Sequence, residues 1–249
     1  IGGGLTGLAA CYELEKYNIR YTVIEVKPRF GGSIVSAEES GFILDGGGFV
    51  TQDIVDRSIF AELGMDDPLF EIGDGDYSFT SGTESLIQAF ASKLTKGRLM
   101  RMAVSTIGKV NNRFTICMEN GMMYDAGSII VAVPARFAER MFHSYVPEIG
   151  DRLRDYHYDT IFRVSLGYHK RDLPENIGIA YDMNFPFLFS TDHVSRVPDS
   201  DYMLIQVGVR GTSKSDPDSI VQEAIRQYGW GAEPLVKRVH YWSEADPLS

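Results

Sequence analysis

The chain has 249 residues, 44% hydrophobic and 23% charged, with a net charge of −10, enough apolar material for one large domain or two modest ones. The acidic balance argues against a nucleic-acid partner, which would need a basic face. No stretch approaches the about 18 apolar residues of a membrane-spanning helix, which leaves only peripheral membrane contact open. Two cysteines, Cys11 and Cys117, cannot build a disulfide framework and read as buried structural thiols in a reducing, cytoplasmic setting.

The first residues, "IGGGLTG", place Gly2, Gly4 and Gly7 in the spacing G-x-G-x-x-G. What gives that pattern meaning is its setting. Leu5, Leu8, Ala9 and Tyr12 recur at helical spacing, "RYTVIEV" follows as a short buried strand, and Glu25 closes it 18 residues after Gly7 (25 − 7). In that setting Gly2 permits a tight turn, Gly4 lets backbone amides approach a pyrophosphate, and Gly7 lets the helix lie close to the sheet. Glu25 is placed to accept from a ribose hydroxyl and to repel a 2′-phosphate. The heptad reads as a dinucleotide cradle.

A second glycine cluster follows. Arg29, Gly31 and Gly32 come directly after the strand, where phosphates would lie, and "GFILDGGGF" predicts a strand over Phe42–Leu44 ending in Asp45 and three glycines. Residues 51–72 read as largely helical. Asp74 and Asp76 lack the pattern of a calcium loop and read as a turn. "SGTESLIQAFASKL" predicts a helix capped by Ser81 or Thr83. A three-stranded meander comes next, with Asn120-Gly121 as its hairpin signal, and then the apolar strand "SIIVAV" ending at Pro134. A simple nicotinamide-binding domain would instead keep alternating strand and helix.

From about Phe137 the pattern predicts a helix "RFAERMF", a short segment "PEIGDRLRD", and strands "FRVSLGYH", "IGIAYDM" and "YMLIQVGVRG". A helix "DPDSIVQEAIRQYG" follows, with Pro217 near its start and Gly229 past its end, and "LVKRVHYW" closes as a strand. This is an α+β arrangement on a mixed or antiparallel sheet. The five histidines show no ligand spacing and no G-x-S-x-G elbow occurs, so no metal site and no nucleophile is expected.

With these pieces in order, the sequence resembles the flavin-containing amine oxidase superfamily, towards its protoporphyrinogen oxidase-like and carotenoid desaturase-like branches. The resemblance rests on "IGGGLTGLAACYEL", "VIEVKPRFGGS", "GFILDGGGF", "SGTESLIQAFASKL", "AGSIIVAVPARFAERMF" and "VKRVHYWSEADPLS". It implies FAD as cofactor, an α/β fold with a Rossmann-like FAD-binding domain of the glutathione reductase type carrying a β-meander, and an α+β substrate domain. The FAD domain would comprise 1–50 and 75–140, the substrate domain 51–74 and 141–249. The resemblance implies that Gly2, Gly4, Leu5, Thr6 and Gly7 hold the pyrophosphate and that Glu25 and Val26 meet the adenosine ribose. Arg29, Gly31, Gly32 and Ser33 would flank the phosphates and ribityl chain, with Asp45, Gly46, Gly47 and Gly48 near the flavin. Val104 would meet the adenine by its backbone, Pro134 follow the strand packed near it, and Trp242 lie close to the flavin ring.

Such enzymes move hydride from a substrate C–H to flavin N5. Amine oxidases of the family place a lysine near N5 on a substrate-domain strand. Here that strand offers Arg163 instead, which favours dehydrogenation of a larger apolar small molecule over amine oxidation. Arg163 also reads as a solvent-facing strand residue. Two other readings stand beside this one. A redox-neutral flavoenzyme of the UDP-galactopyranose mutase kind would gather Arg163, Arg171, Arg196 and Arg210 in one pocket. A non-catalytic nucleotide-binding module would keep the cradle alone. The family's complete first strand, longer insertion between 50 and 80 and closing glycine-aspartate segment have no match here, so the chain is expected to be part of a longer protein.

Overall fold

The computed structural model describes all residues except 47–50, 53–56, 74, 176, 178–183, 213, 232, 246 and 249. In chain order its elements begin with α1 (Leu5–Lys16), β1 (Thr22–Glu25), β2 (Ser36–Glu39), β3 (Phe42–Asp45), β4 (Thr51–Gln52), α2 (Ser58–Leu63), β5 (Leu69–Gly73), β6 (Asp76–Phe79), α3 (Glu84–Lys93) and β7 (Gly97–Met100). They continue with β8 (Val104–Val110), β9 (Arg113–Met118), β10 (Met123–Ala126), α4 (Ala135–Phe142), α5 (Pro147–Arg154), β11 (His157–Tyr158), β12 (Ile161–His169), β13 (Leu188–Thr191), β14 (Tyr202–Arg210), α6 (Pro217–Tyr228), β15 (Val236–Trp242) and β16 (Pro247–Leu248). The chain forms two compact units, one of Ile1–Gly32, Ile87–Tyr158 and Pro247–Ser249, the other of Ser33–Leu86 and Asp159–Asp246.

In the first unit α1 buries Gly7, Leu8, Cys11 and Tyr12, the face that helical spacing puts on one side. Its C-terminal turn closes at Asn18, whose φ of 52° a residue with a short polar side chain tolerates. β1 pairs in parallel with β7, Ile24 opposite Leu99. Residues Ile1 and Gly2 run beside β1, where Gly2 N–H donates to the Ile24 carbonyl at 2.9 Å and Ala132 N–H donates to that of Ile1 at 2.8 Å. The meander β8–β9–β10 is antiparallel, as expected. Its first turn uses Asn111 and Asn112 at φ 50° and 62°, the pair of positive angles a tight hairpin needs. Its second uses Gly121 at φ 83°. Ile24, Ile116 and Met118 form the buried cluster between sheet and meander.

The run "SIIVAV" does not become a ladder strand over residues 128–133. Among the described residues its hydrogen bonds to a neighbour are two, both with Ile1, and two bonds at one residue do not make a ladder. Cys11 is buried, whereas Cys117 is only partly so.

In the second unit β13, β14, β12 and β15 form an antiparallel sheet in that order. Alternation along β12 divides it into two faces. Phe162, Val164, Leu166 and Tyr168, with Ile205, Val207 and Val209 of β14, pack on Ile220, Val221 and Ala224 of α6 and on Trp230. The other face carries Arg163 and Ser165, with Gln206 and Gly208 across from them on β14. α6 begins at Pro217 and stops before Gly229, at φ 68°, as its sequence predicts, and the Asp216 carboxylate caps its start by accepting from Ser219 N–H at 2.9 Å.

Two further expectations need correction. Residues 51–72 are not a long helix: α2 ends at Leu63 because Gly64 turns left-handed at φ 78°, and after Pro68 the chain extends as β5. Nor do Ser81 or Thr83 cap α3. The Thr83 and Glu84 amides are instead taken by the Asp45 carboxylate and the Ser36 hydroxyl. Most of the predicted strand "IGIAYDM" lies outside the described residues, as does Asp74.

Candidate functional site

The two glycine clusters of the first unit meet. Gly2 adopts φ +99°, and a Cβ there would lie 2.3 Å from the Ala132 carbonyl oxygen. A Cβ on Gly7 would lie 1.9 Å from the Gly2 carbonyl oxygen, so α1 sits against the turn more closely than a side chain permits. Gly4 differs: a Cβ there would meet nothing within 4 Å. It is the N-cap of α1 and no side chain caps that end. The first-turn N–H groups of Leu5, Thr6 and Gly7 have no acceptor within the helix and point along its axis at the positive end of its dipole.

The second cluster forms the opposite wall. Gly31 N–H donates to the Gly3 carbonyl at 2.7 Å, and Gly32, at φ +60°, would bring a Cβ to 3.4 Å from the Gly4 Cα. Glu25, buried at the end of β1, joins both walls. One carboxylate oxygen accepts from Gly3 N–H and the other from Lys27 N–H, each at 2.7 Å. The Arg29 guanidinium donates to the Phe30 carbonyl at 2.9 Å and to that of Gly32 at 3.0 Å, which braces the loop. Val26 is exposed beside it. Val104 starts β8 and packs against the Ile24 cluster, and Pro134 precedes α4, whose Ala135 N–H donates to the Tyr158 hydroxyl.

Ser33, Gly46 and Trp242 belong to the second unit. A Cβ on Gly46 would lie 2.3 Å from Val35 and 2.9 Å from the His240 ring, so the loop crosses β15 at backbone distance. Trp242 ends β15 opposite Ile161. Gly47 and Gly48 lie outside the described residues.

The second unit also holds a buried polar network that sequence reasoning missed. The Asp45 carboxylate accepts from Arg196 Nη2 at 2.8 Å, from the Ser36 hydroxyl at 2.6 Å and from Thr83 N–H at 2.8 Å. Its backbone carbonyl accepts from Ser165 Oγ and Gln206 Nε2, both at 3.3 Å. Arg196 further donates to the carbonyls of Ile43 and Phe79 and to Ser78 Oγ. Burial pushes the Asp45 carboxyl up, but the Arg196 and Arg163 charges and its hydrogen bonds outweigh that and hold it below the usual carboxylate range.

Arg163 is 3% exposed, so the solvent-facing reading of this residue is wrong. Its Nη2 donates to Gln206 Oε1 at 2.9 Å, and the rings of Phe187 and Phe189 lie 5.4 and 5.1 Å from the guanidinium. Burial lowers its pKa to about 10, so it stays charged at neutral pH. Of the four arginines a sugar-mutase site would gather, Arg163 and Arg196 are buried here, while Arg171 and Arg210 pair with Asp172 and Asp159. The signal for the network was the alternation of Arg163 and Ser165 with apolar residues. Nothing in the sequence joins Asp45 to Arg196, 151 positions away.

Among the described residues no group of three or more His, Cys, Asp or Glu side chains could hold a metal ion, and no helix is long and apolar enough to cross a membrane. Residues 1–59 match the model of an NAD(P)-binding Rossmann-like domain, and residues 58–247 that of the flavin containing amine oxidoreductases. A coproporphyrinogen III oxidase of Propionibacterium freudenreichii is 34% identical over 77 residues, 30% of this chain and 15% of that protein. Another, of Bacillus subtilis, is 40% identical over 53 residues, 19% of this chain and 11% of that protein. A crystal structure of a candidate protoporphyrinogen oxidase from Exiguobacterium sp. 255-15 superposes with a TM-score of 0.76 at 13% identity, covering 100% of this chain and 86% of that one, a likeness of fold. The chain belongs to the flavin containing amine oxidoreductase family.

Proposed function

We propose that the protein is an FAD-dependent oxidoreductase acting on a porphyrinogen, with coproporphyrinogen III as the substrate to test first. One observation carries the cofactor assignment: α1 starts without a side-chain cap, and a Cβ on its N-cap residue Gly4 would meet nothing within 4 Å. Amides so placed at a helix N-terminus suit a pyrophosphate. Leu5, Thr6 and Gly7 would supply the N–H groups, and Gly31 and Gly32 keep the opposite wall bare. Glu25 would accept from a ribose hydroxyl through the lone pairs that Gly3 and Lys27 leave unused. The family match, to the flavin containing amine oxidoreductases, supports FAD as that dinucleotide.

When bound, FAD accepts hydride from a substrate C–H. The chain's own part is to position and to exclude water. Asp45, held at its carboxylate and its carbonyl, would fix the loop entering Gly46. Phe187 and Phe189 give the polar sheet face an apolar cover suited to a large pyrrolic substrate. The names of two relatives support a porphyrinogen as the substrate, and Arg163 in place of the family's lysine argues for a substrate other than an amine.

The test uses the full-length protein: its visible spectrum, release of the chromophore by heat, then oxygen uptake and porphyrin fluorescence with coproporphyrinogen III. Protoporphyrinogen IX and a diamine run alongside. Released FAD and porphyrin formation are expected. A protein that stays colourless after FAD is added overturns the reading, and bound FAD with turnover of the diamine alone overturns the substrate.

A further inference from the structure

Among the described residues two buried arginines share one carboxylate. Arg163 lies on the polar face of the four-stranded sheet and Arg196 in the segment before β14, and the charge of Asp45 acts on both. Asp45 is already committed, since it ion-pairs with Arg196 and accepts from Ser36 and Thr83. Among the described residues Arg163 is left with one neutral acceptor, Gln206, and its buried Nε has no partner. An unpaired buried cation is costly, and a donor left unmet inside a protein adds to that cost. Such a group is satisfied when an anion joins it.

The surroundings say how and which. Gly208 lies opposite Arg163 on β14 and His240 opposite it on β15. At Gly208 a Cβ would come within 2.5 Å of the Phe187 ring, so that ring occupies the slot the missing side chain leaves. Phe187 and Phe189 stack at 5.5 Å and are only partly buried, so the cover over the guanidinium is two rings at the edge of the core. A turn of Phe187 would open a flat slot beside Nε. The side-on edge of a guanidinium, Nε with one Nη, matches the two oxygens of a carboxylate. A phosphate can meet the same edge, but its tetrahedral oxygens do not lie flat in such a slot as those of a carboxylate do.

We propose that Arg163 binds a carboxylate of the substrate, entered through the slot that Gly208 leaves and Phe187 fills. The ligand's identity rests on the porphyrinogen reading above, because coproporphyrinogen III carries propionate side chains; the position of the subsite does not.

The experiment takes the full-length protein with its FAD content measured first, and titrates it with sodium propionate or with propionamide, its neutral counterpart. Binding is read by saturation-transfer NMR, which needs no flavin. Wild type is expected to bind propionate in the low-millimolar range and to show no saturable binding of propionamide. Arg163→Met should weaken propionate at least tenfold while FAD content stays that of wild type. Arg163→Lys, which keeps a charge but not the planar fork, should weaken it about threefold to tenfold. Equal binding of propionate and propionamide by wild type overturns the proposal, as does wild-type affinity in Arg163→Met. Loss of FAD or of folding in both variants overturns it too, assigning Arg163 to the scaffold. Absence of FAD from wild type would defeat the cofactor reading while leaving the propionate titration to judge the subsite.

Discussion

Gly4 and Gly7 occupy equivalent-looking places in one motif, yet their surroundings set different consequences for replacing them. Gly4→Ala adds a methyl group to open space on a backbone at φ −72°, which any residue adopts. Its melting temperature should stay near that of wild type, while FAD affinity falls about tenfold or more, a loss of about 1.4 kcal/mol. Gly7→Ala drives its Cβ to 1.9 Å from the Gly2 carbonyl oxygen, so α1 must move, and both quantities should fall. Thermal melts and FAD titrations of the two variants decide the matter. If Gly4→Ala binds FAD as wild type does, the open side of Gly4 is not where the pyrophosphate lies. Asp45 and Arg196 make a second residue-scale case. Removing one partner strands a buried charge, so Arg196→Met should cost about 3–5 kcal/mol in urea denaturation, and Asp45→Asn added to it should recover part of that. Additive losses would mean that the ion pair is not what couples them.

At the scale of elements, Glu15 ties α1 to the turn after α3. Its carboxylate accepts from Thr95 N–H at 2.6 Å, from Lys96 N–H at 3.1 Å and from the Tyr21 hydroxyl at 2.7 Å. These bonds, the Thr95 amide foremost, bring its pKa from 4.5 to about 2. A depressed carboxyl pKa stabilises the fold above the unfolded value and ceases to do so below the folded one. The contribution should be complete above pH 4.5 and fade as pH falls towards 2. Glu15→Gln should therefore lose the part of the acid-unfolding slope that lies in this window; an unchanged slope would show that the staple does not hold α1. Legibility in the sequence follows the range of the interactions. α1, the meander and α6 were readable because their signals are local: helical spacing, Asn-Gly turns, Asp-Pro caps and a closing Gly. The segment 51–72 was not, because its apolar residues, among them Phe60, Leu63 and Leu69, fit a helical period while Gly64 and Pro68 break it. The capping of α3 was not, because the groups that meet its amides come from β2 and β3. In the candidate site, the glycine clusters and Glu25 could be read from spacing. Arg196 could not, since its partner Asp45 meets it only in the folded chain.

For the whole molecule, the buried clusters differ from place to place. The second unit has a large one in which Val164, Leu166, Ile205 and Val207 are sealed beneath α6 and Trp230. At the seam between β1 and the meander the described cluster is smaller, with Ile24, Ile116 and Met118 buried and partly buried residues around them. Fewer sealed side chains at that seam mean a lower free energy of local opening there. In the flavin-free protein, amides of β1, β8 and β9 should thus exchange with solvent by openings that β12 and β14 do not share. A ligand that binds the closed form alone stabilises it by RT ln(1 + [L]/Kd), about 2.7 kcal/mol at a hundredfold excess over Kd. Adding FAD should raise protection first at residues 2–8 and 23–32 and in the strands behind them. The core face of β12 and β14 should change little until global unfolding becomes the route of exchange. Hydrogen-exchange mass spectrometry with and without FAD measures this directly. Protection gained equally along the chain would mean that the molecule opens as one cooperative body, and no gain at residues 2–8 would remove the cradle from the nucleotide altogether.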